Sequence, residues 1–415
     1  MSKKVLVIGG GIVGLCSAYY LQKEGHQVTV VDKSTMDFGA SYVNAGYLTP
    51  SHIIPLAAPG VMKQGLKWMF DSSSPLFIKP RLNSNFIKWS LAFNRSCTQA
   101  NVDRSVRAIR DINLLSRELF PELKSNEDFQ FQLERKGLIM LCQTQKMLDT
   151  ELAVADLAAK EGLEVKPVTK EEIYAMEPNV KIETIGGVHF GCDGHTTPNQ
   201  LMAELKNRLP QMGVKIHSGE TVLDFEQNGN QIKSVRTDKA NYTPDEVVLA
   251  SGTWSHKLAA KLGIRLLLEA GKGYRINSTR DLGINMPAIL CESKCAVTPM
   301  DGFTRFAGTM EIAGINHKIR PERVAAIAKA AQKYYPEVEI TQAEQDQAAC
   351  GLRPVSPDGM AYIGRSKKCD NLALATGHAM MGWSMGPATG KLISELISEK
   401  PTSMDLSPFN PDRKF

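Results

Sequence analysis

The residues whose spacing points most directly to chemistry are three glycines near the N-terminus, Gly9-x-Gly11-x-x-Gly14. In this spacing, Gly9 permits a tight turn, Gly11 lets a pyrophosphate approach the backbone, and Gly14 allows a helix to pack closely on a sheet. Asp32 follows at the distance where an acidic residue accepts hydrogen bonds from an adenosine ribose. An acid at that position favours FAD or NAD over NADP. Together these residues predict a dinucleotide site.

A candidate for substrate binding lies far along the chain. Arg353 stands in the segment Gly-Leu-Arg-Pro, and its planar, permanently charged guanidinium suits bidentate recognition of a carboxylate. An arginine before a proline at a turn also often forms a surface ion pair, so the residues alone leave both interpretations open. The glycine-rich residues 376–398 have the pattern of a strand entering a helix. The amide groups at such a helix N-terminus suit an anionic or carbonyl-bearing ligand.

The N-terminal glycines lie between predicted elements in the order strand, helix, strand. Residues 5–8 are apolar, residues 11–24 have helical character, and residues 27–31 form a β-branched second strand. The uncharged run at residues 5–21 also resembles a secretory signal that follows a basic dipeptide. Its four glycines disfavour a membrane-inserting helix. We therefore expect an uncleaved N-terminus in the cytoplasm.

The composition excludes several classes of protein. The chain has 415 residues, of which 43% are hydrophobic and 22% charged, as expected of a globular protein large enough for two lobes. The net charge of +5 is spread along the chain and gives no reason to expect a nucleic-acid partner. The eight cysteines show no C-x2-C repeat. We therefore expect neither a metal site nor disulfides, and free thiols in a reducing compartment.

One stretch mixes aromatic and basic side chains. Residues 61–124 carry two or three helical patterns, and within them residues 75–95 combine aromatic residues with Lys79, Arg81 and Lys88. This mixture fits a patch that contacts a membrane surface. It also fits an amphipathic helix with one face in the core and a basic face in solvent, which is the simpler interpretation.

Several stretches together resemble one known family. They are VIGGGIVGLCSAYYLQKEGHQVTVVDK, Asn44-Ala45-Gly46, Ala57-Ala58-Pro59-Gly60, Gly271-Lys272-Gly273-Tyr274, GLRPVSPDG and TGHAMMGWSMGPATGKLISELIS. In this order, and over residues 4–398, they resemble the D-amino-acid-oxidase-type superfamily of FAD-dependent amine and amino-acid oxidoreductases. Within it, the resemblance is closest to the flavin subunits of bacterial D-amino acid dehydrogenases.

This resemblance implies an α/β fold with two interleaved lobes. One is a Rossmann-like FAD-binding lobe, and the other is an α+β substrate lobe whose mixed or antiparallel sheet covers the flavin. We expect a discontinuous FAD-binding domain of residues 1–60, 195–265 and 346–415, and a substrate-binding domain of residues 61–194 and 266–345. The residues expected to contact FAD are Gly9, Gly11, Ile12, Val13, Gly14, Asp32, Lys33, Asn44, Ala45, Gly46, Val222, Gly252, Trp254, Gly351, Gly377, His378, Met381 and Gly382.

The same resemblance implies four side chains near the substrate. Arg353 matches the arginine that binds the substrate carboxylate, and Tyr274 falls where the family places an aromatic or hydroxyl-bearing residue. His378 belongs to the segment that faces the pyrimidine end of the flavin, and His52 lies in a loop that reaches the pocket. Residues 51–54 replace an aromatic and small residues of the family pattern, which leaves the side-chain preference open.

The implied reaction is the oxidative deamination of D-amino acids, including cyclic ones of the proline or hydroxyproline type. The Cα hydrogen passes as hydride to flavin N5, and the imino acid hydrolyses to a 2-oxo acid; no general base is required if the amine arrives deprotonated. We expect a quinone or other electron-transfer acceptor, and a cytoplasmic protein, with peripheral contact to the inner face of the cytoplasmic membrane as a further option. Two alternatives stay open: an oxygen-using oxidase of glycine or sarcosine type, and an NAD-dependent or non-catalytic Rossmann protein.

Overall fold

A computed structural model describes residues 1–61, 76–126 and 129–415. Its helices are α1 (Ile12–Lys23), α2 (Ser84–Ser96), α3 (Gln99–Asn126), α4 (Gln145–Lys160), α5 (Lys170–Met176), α6 (Pro198–Gln211), α7 (Ser255–Lys261), α8 (Pro321–Tyr334), α9 (Gln342–Asp346) and α10 (Gly386–Ile397). Short 3-10 turns lie at Gly252–Trp254 and Ser407–Phe409. Of the helical patterns predicted over residues 61–124, the part at 62–75 lies outside the described residues.

The strands form two large sheets and two small ones. They are β1 (Lys4–Ile8), β2 (Gln27–Asp32), β3 (Tyr47–Leu48), β4 (Leu76–Ile78), β5 (Leu133–Glu134), β6 (Leu138–Cys142), β7 (Val165–Val168), β8 (Gly186–Phe190), β9 (Gly194–Thr196), β10 (Lys215–Ser218), β11 (Val222–Asn228), β12 (Gln231–Thr237), β13 (Asn241–Tyr242), β14 (Glu246–Leu249), β15 (Glu269–Ser278), β16 (Ala288–Leu290), β17 (Cys295–Met300), β18 (Phe303–Ile312), β19 (Ala349–Val355), β20 (Tyr362–Ser366) and β21 (Cys369–Thr376). The small sheets are β11-β12-β13 and β3-β9-β5.

The first large sheet has the strand order β10-β2-β1-β14-β21-β20 and is parallel except at its β20 edge. Successive side chains of a strand face opposite sides of the sheet. Val5 and Val7 of β1 therefore pack in the same cluster as α1 and α10, whereas Leu6 and Ile8 pack toward β11 and β12. Both faces are covered, which explains why the central strands are almost continuously aliphatic. The strands come from the N-terminal, middle and C-terminal parts of the chain.

Close helix packing fixes α1 at the end of β1. A Cβ atom on Gly390 of α10 would lie 2.5 Å from the backbone carbon of Cys16 in α1, so the two helix backbones approach as only glycine allows. A Cβ atom on Gly14 would lie 1.8 Å from the Gly9 carbonyl oxygen. The lack of a side chain at these two positions lets α1 pack closely against α10 and against the strand-to-helix turn.

The second large sheet is mixed, in the order β19-β15-β18-β17-β16-β6-β8-β7 with β4 added beside β18. Its β15–β18 half packs against α8 through Ile276, Phe306 and Ile327. Its β6–β8 half packs against α4 through Val188 and Ala158. The predicted α/β class, with a Rossmann-like sheet and a second, mixed sheet, is confirmed. Among the described residues, no helix combines the length and the hydropathy that crossing a membrane requires.

Candidate active site

A cavity of about 1070 Å³ extends from the N-terminus of α1 to the strands of the nine-stranded sheet. A ligand cavity in a protein typically measures roughly 300–1,000 Å³, so this one suits a large ligand together with a small one. Most of the predicted cofactor residues line it: Gly9, Gly11, Ile12, Val13, Asp32, Lys33, Asn44, Ala45, Val222, Gly252, Trp254, Gly351, His378, Met381 and Gly382. The four predicted substrate residues, Arg353, Tyr274, His52 and His378, also contribute to its wall.

Three predicted cofactor residues are not part of the lining. Gly14 packs against Gly9 as described above. A Cβ atom on Gly46 would lie 2.2 Å from the Thr196 carbonyl oxygen, and one on Gly377 would lie 2.7 Å from the Tyr362 ring. The structure therefore places these glycines where the backbone behind the wall must pack closely.

The phosphate end of the cavity is built from backbone at the start of α1. Gly11 is the N-cap residue in an extended conformation, with φ −75° and ψ 177°, and its side-chain position is open except for Ser41 Oγ at 3.2 Å. Gly9 has a φ of +114°, which favours glycine. The free amide groups and the positive dipole end of α1 suit an anion at this point.

Asp32 ends β2 and shapes the same turn. Its carboxylate oxygens accept hydrogen bonds from the Gly10 amide at 2.6 Å and from the Ser34 amide at 2.7 Å and hydroxyl at 2.6 Å. The carboxylate thus holds the glycine turn beside it while remaining on the cavity wall. A carboxylate has about four acceptor sites, which leaves capacity for a ribose hydroxyl.

Lys33 and Trp254 close one side of the cavity. The Lys33 ammonium lies 3.4 Å from the centre of the Trp254 ring, and Trp254 stacks on His317 with ring centres 6.2 Å apart. Burial lowers the pKa of Lys33. His317 was not predicted, because it follows β18 in the chain and only the fold brings it to the N-terminal segment.

Arg305 is a second residue that sequence patterns did not identify. It is fully buried, and its guanidinium donates to the backbone carbonyl oxygens of Asn44 at 2.5 Å and Tyr42 at 3.2 Å. Thr298 donates to the next carbonyl, that of Ala45, at 2.8 Å. Burial lowers the pKa of Arg305 to about 9. These donors fix the loop whose Asn44 and Ala45 line the cavity.

Arg353 lies on β19 with its guanidinium in the cavity wall. Nη1 donates to the Thr309 carbonyl oxygen at 3.0 Å, and a Cβ atom on Gly273 would lie 2.1 Å from the same nitrogen. Gly273 therefore leaves the room that the guanidinium occupies. No carboxylate pairs with Arg353 within the described parts of the chain. Burial lowers its pKa to about 10, so the group stays charged at neutral pH.

Backbone strain is concentrated around this cavity. Met36, Lys294, Thr309 and Ala379 are non-glycine residues with φ between +47° and +63°, and all of them contribute to its wall. Thr309 is the residue whose carbonyl holds Arg353. Strained backbone of this kind typically persists where the surrounding structure fixes a functional geometry.

Tyr274 is oriented away from Arg353. Its hydroxyl donates to Glu311 Oε2 at 2.7 Å, and its ring packs in the cluster that faces α8. Glu311 also forms a buried ion pair with Lys272 at 3.2 Å. The substrate role of Tyr274 stays a prediction, with its hydroxyl engaged by Glu311.

The two predicted histidines are neutral and have different partners. His378 Nε2 lies 3.0 Å from Thr389 Oγ1 of α10, and His52 Nδ1 lies 3.0 Å from Ser51 Oγ. Burial lowers the pKa of each histidine to about 4, and the positive charge of Lys294 adds to this effect at His52. Both imidazoles are therefore neutral at neutral pH, with a proton on only one of the two ring nitrogens.

The residues present fit a flavin dinucleotide. The N-terminus of α1 at Gly11 offers backbone amide groups to a pyrophosphate, Asp32 suits the ribose, and Arg353 provides an unpaired cation for a small acid at the other part of the same cavity. An FAD-dependent oxidoreductase acting on a carboxylate-bearing substrate would use all three features.

Comparison with known proteins agrees with this site. The DAO family, described as FAD dependent oxidoreductase, matches residues 4–396. A D-amino acid dehydrogenase of Neisseria meningitidis serogroup C is 32% identical over 411 residues, which is 97% of each chain. Glycine oxidase from Geobacillus kaustophilus superposes with a TM-score of 0.79 at 23% identity, over 100% of this chain and 99% of that one. L-proline dehydrogenase from P. horikoshii has a TM-score of 0.76 at 20% identity, over 99% and 97%.

The chain belongs to the DAO family of FAD-dependent oxidoreductases. It is an enzyme whose cofactor is FAD, as predicted. The alternative of an NAD-dependent or non-catalytic Rossmann protein is wrong, because the family match covers both lobes and not the dinucleotide motif alone.

Proposed function

We propose that this enzyme is an FAD-dependent dehydrogenase of D-amino acids. The observation that carries the proposal is Arg353, whose half-buried, charged guanidinium lines the cavity and has no carboxylate partner among the described residues. Withdrawing a cation partly from water without a counter-charge is costly, so a substrate carboxylate completes the site. The name of the 32%-identical Neisseria relative supports the same substrate class.

The protein's part in this reaction is to hold and orient. Gly9, Gly11 and Asp32 would hold the pyrophosphate and ribose, and the loop at Asn44 and Ala45 together with residues 377–382 would hold the flavin end. When bound, the flavin supplies a hydride acceptor, which is chemistry that no side chain offers. Arg353 fixes the carboxylate and thereby orients the Cα hydrogen. We assign cofactor binding to residues 1–60, 195–265 and 346–415, and substrate binding to residues 61–194 and 266–345.

The preferred side chains are proposed to be compact and apolar, including cyclic ones of the proline type. Strands of the nine-stranded sheet contribute Met140, Phe190, Ile289 and Ala296 to the cavity wall. Apolar walls favour apolar groups by removing their surface from water. A comparison of kcat/KM for D-alanine, D-proline and D-aspartate tests this, and a preference for D-aspartate would refute it.

The electron acceptor is proposed to be a quinone. Anaerobically reduced enzyme mixed with a soluble quinone analogue should reoxidise at least about tenfold faster than with air-saturated buffer, a ratio that corresponds to about 1.4 kcal/mol in activation free energy. Fast reoxidation by oxygen with stoichiometric peroxide would instead favour an oxidase of the glycine or sarcosine type.

A surface on α2 supports contact with the membrane that contains such an acceptor. Leu82, just before α2, and Ile87 and Leu91 on α2 are exposed, and the last two lie one helical turn apart beside the exposed basic residues Lys88 and Arg95. Exposed aliphatic side chains next to basic ones suit the surface of an anionic bilayer. We propose that this surface, the α2 patch, binds the membrane peripherally.

Replacing the aliphatic residues of the α2 patch should weaken vesicle binding. In co-sedimentation with phosphatidylglycerol vesicles, the double substitution Ile87→Ser and Leu91→Ser should lower the partition coefficient about tenfold or more, because two aliphatic side chains leave the bilayer. Ile185→Ser, which changes an exposed aliphatic residue elsewhere, is the matched control and should bind as the unmodified protein does. Equal binding by all three proteins would contradict the membrane proposal.

A further inference from the structure

A buried carboxyl outside the family motifs connects to the cavity through two side chains. Ser51 Oγ donates to Asp193 Oδ2 at 2.5 Å, the Ser51 amide donates to Asp193 Oδ1 at 3.0 Å, and His52 Nδ1 lies 3.0 Å from Ser51 Oγ. Asp193 is 2% exposed and lies between β8 and β9, whereas Ser51 and His52 follow β3. Ser51 and His52 line the cavity.

The available donors determine the directions of the hydrogen bonds that connect Asp193, Ser51 and His52. Ser51 has one hydroxyl hydrogen, and while Asp193 is ionised that hydrogen points to the carboxylate. Ser51 Oγ must then accept from His52, so the His52 proton resides on Nδ1. His52 Nε2 makes no hydrogen bond with any described residue and is not enclosed by protein atoms. Nε2 is therefore a free acceptor on a residue of the cavity wall.

We infer that His52, Ser51 and Asp193 form a proton relay that takes the proton from the ammonium group of the substrate and places it on the Asp193 carboxyl. This inference rests on the proposed function, since it needs an amino acid in the cavity. It assigns an active role to residues 51–52, where the chain departs from the family pattern.

The relay balances in protons and charge. The N–H bond of the substrate ammonium breaks and an Nε2–H bond forms on His52, while the Nδ1 proton passes to Ser51 Oγ. The original Ser51 hydroxyl proton passes to Asp193. The substrate amine changes from +1 to neutral, Asp193 changes from −1 to neutral, and His52 ends in its other neutral tautomer. After product release, the proton returns to solvent along the same path.

The pKa values of Asp193 and His52 favour passage of a proton from the imidazole to the carboxyl. Burial raises the pKa of Asp193 to about 7 against the opposing effect of its Ser51 hydrogen bonds, so the carboxyl can hold a proton near neutral pH. Burial lowers the pKa of His52 to about 4, so the imidazole passes a proton on and does not keep it. The other ionisable groups that act on the relay are Cys192 and Arg117 at Asp193 and Lys294 at His52.

The relay can be tested by the pH dependence of flavin reduction in the FAD-loaded enzyme. Below pH 7 Asp193 is already protonated, so the reduction rate constant of the unmodified enzyme should fall as the pH falls through about 7. With Asp193→Asn, reduction by D-alanine at about pH 7.5 should be slower by about tenfold or more, the lower end of the usual contribution of proton transfer. Above the pKa of the substrate amine, the variant should match the unmodified enzyme, because the amine is then neutral without help.

Controls separate the relay from a structural role. Ser51→Ala should give the same pH-dependent loss as Asp193→Asn. Arg236→Ala changes an exposed arginine of β12 outside the cavity, leaves the relay intact and should behave as the unmodified enzyme. An Asp193→Asn enzyme slowed equally at every pH, or not slowed at any, would overturn the relay. Failure of the proposed function would give a different result from failure of the relay, because D-amino acids would then not reduce the flavin of the unmodified enzyme.

A second measurement does not depend on turnover. In holoenzyme labelled with ¹⁵N-histidine, the signals of His52 are assigned by their loss in His52→Gln. At about pH 8, above the Asp193 pKa, the relay requires a protonated Nδ1 and a bare Nε2. The opposite tautomer at that pH, or a tautomer that Asp193→Asn leaves unchanged, would refute the hydrogen-bond order on which the relay depends.

Discussion

Replacing Arg353 by alanine is expected to lower kcat/KM for D-amino acids by about thirtyfold or more. The change removes the charged partner of the substrate carboxylate, and hydrogen bonds to charged groups contribute about 2 kcal/mol or more to binding of the transition state. The loss should appear in KM and in kcat together, because the carboxylate both anchors the substrate and orients its Cα hydrogen. Steady-state kinetics with a quinone analogue as acceptor measures both constants.

Two further variants show whether the guanidinium itself is responsible. Arg353→Lys keeps the positive charge but loses the planar pair of donors, so its kcat/KM should lie between those of the unmodified enzyme and Arg353→Ala. Arg236→Ala removes an exposed arginine of β12 outside the cavity and is the matched control. Unchanged kcat/KM in Arg353→Ala with every amino acid that reduces the flavin would remove this residue from the site.

Replacing Gly11 by valine is expected to weaken FAD binding strongly while leaving the fold intact. Gly11 has an extended backbone that valine can adopt, and only Ser41 Oγ lies near its side-chain position. The valine would fill the space that the pyrophosphate needs, so the dissociation constant for FAD should rise by about tenfold to hundredfold or more, the scale of 1–3 kcal/mol for overpacking. Fluorescence titration of the apoprotein with FAD measures it.

The matched variant of this experiment is Gly14→Val. Its Cβ atom would lie 1.8 Å from the Gly9 carbonyl oxygen, so α1 must move from β1 and the free energy of unfolding of the apoprotein should fall by about 1–3 kcal/mol. In Gly11→Val the same free energy should change by less than about 1 kcal/mol, the scale of an N-cap substitution. If Gly11→Val bound FAD with an unchanged dissociation constant, the placement of the pyrophosphate beside Gly11 would be contradicted.

The N-terminal glycine turn was predictable because its geometry is local. The spacing of Gly9, Gly11 and Gly14 between an apolar run and a helical pattern defines one strand-to-helix turn, and the structure shows that turn within a parallel sheet. Neighbouring residues fix most of its backbone conformation, so sequence is enough. The mixed class of the second sheet was implied by the family resemblance, and its strand order depends on contacts between distant segments.

The orientation of Tyr274 follows from its place next to Gly273 in strand β15. Gly273 must face the Arg353 guanidinium because only a residue without a side chain leaves room there. Adjacent residues of a strand face opposite sides, so Tyr274 belongs on the other face, where its hydroxyl meets Glu311. Alternation alone predicts that the two residues face opposite sides, whereas the structure shows which of them meets Arg353.

Arg305, His317 and Asp193 could not be found from sequence. Arg305 holds the backbone at Asn44 across 261 positions of the chain, and Asp193 meets Ser51 across 142. No motif links residues so far apart, and each is an ordinary polar residue in its own segment. Only the packing of one lobe on the other gives them a role.

The most direct test of the account is anaerobic reduction of the purified, FAD-loaded enzyme by matched D- and L-amino acids. We expect D-alanine or D-proline to bleach the visible absorbance of the flavin at least about tenfold faster than the L-enantiomer does. Arg353 fixes the carboxylate and the flavin fixes the reacting face, so only one enantiomer presents its Cα hydrogen to the flavin. The Arg353→Ala enzyme should bleach more slowly with both. Bleaching by L-amino acids alone, or by neither enantiomer, would contradict D-amino acid dehydrogenation.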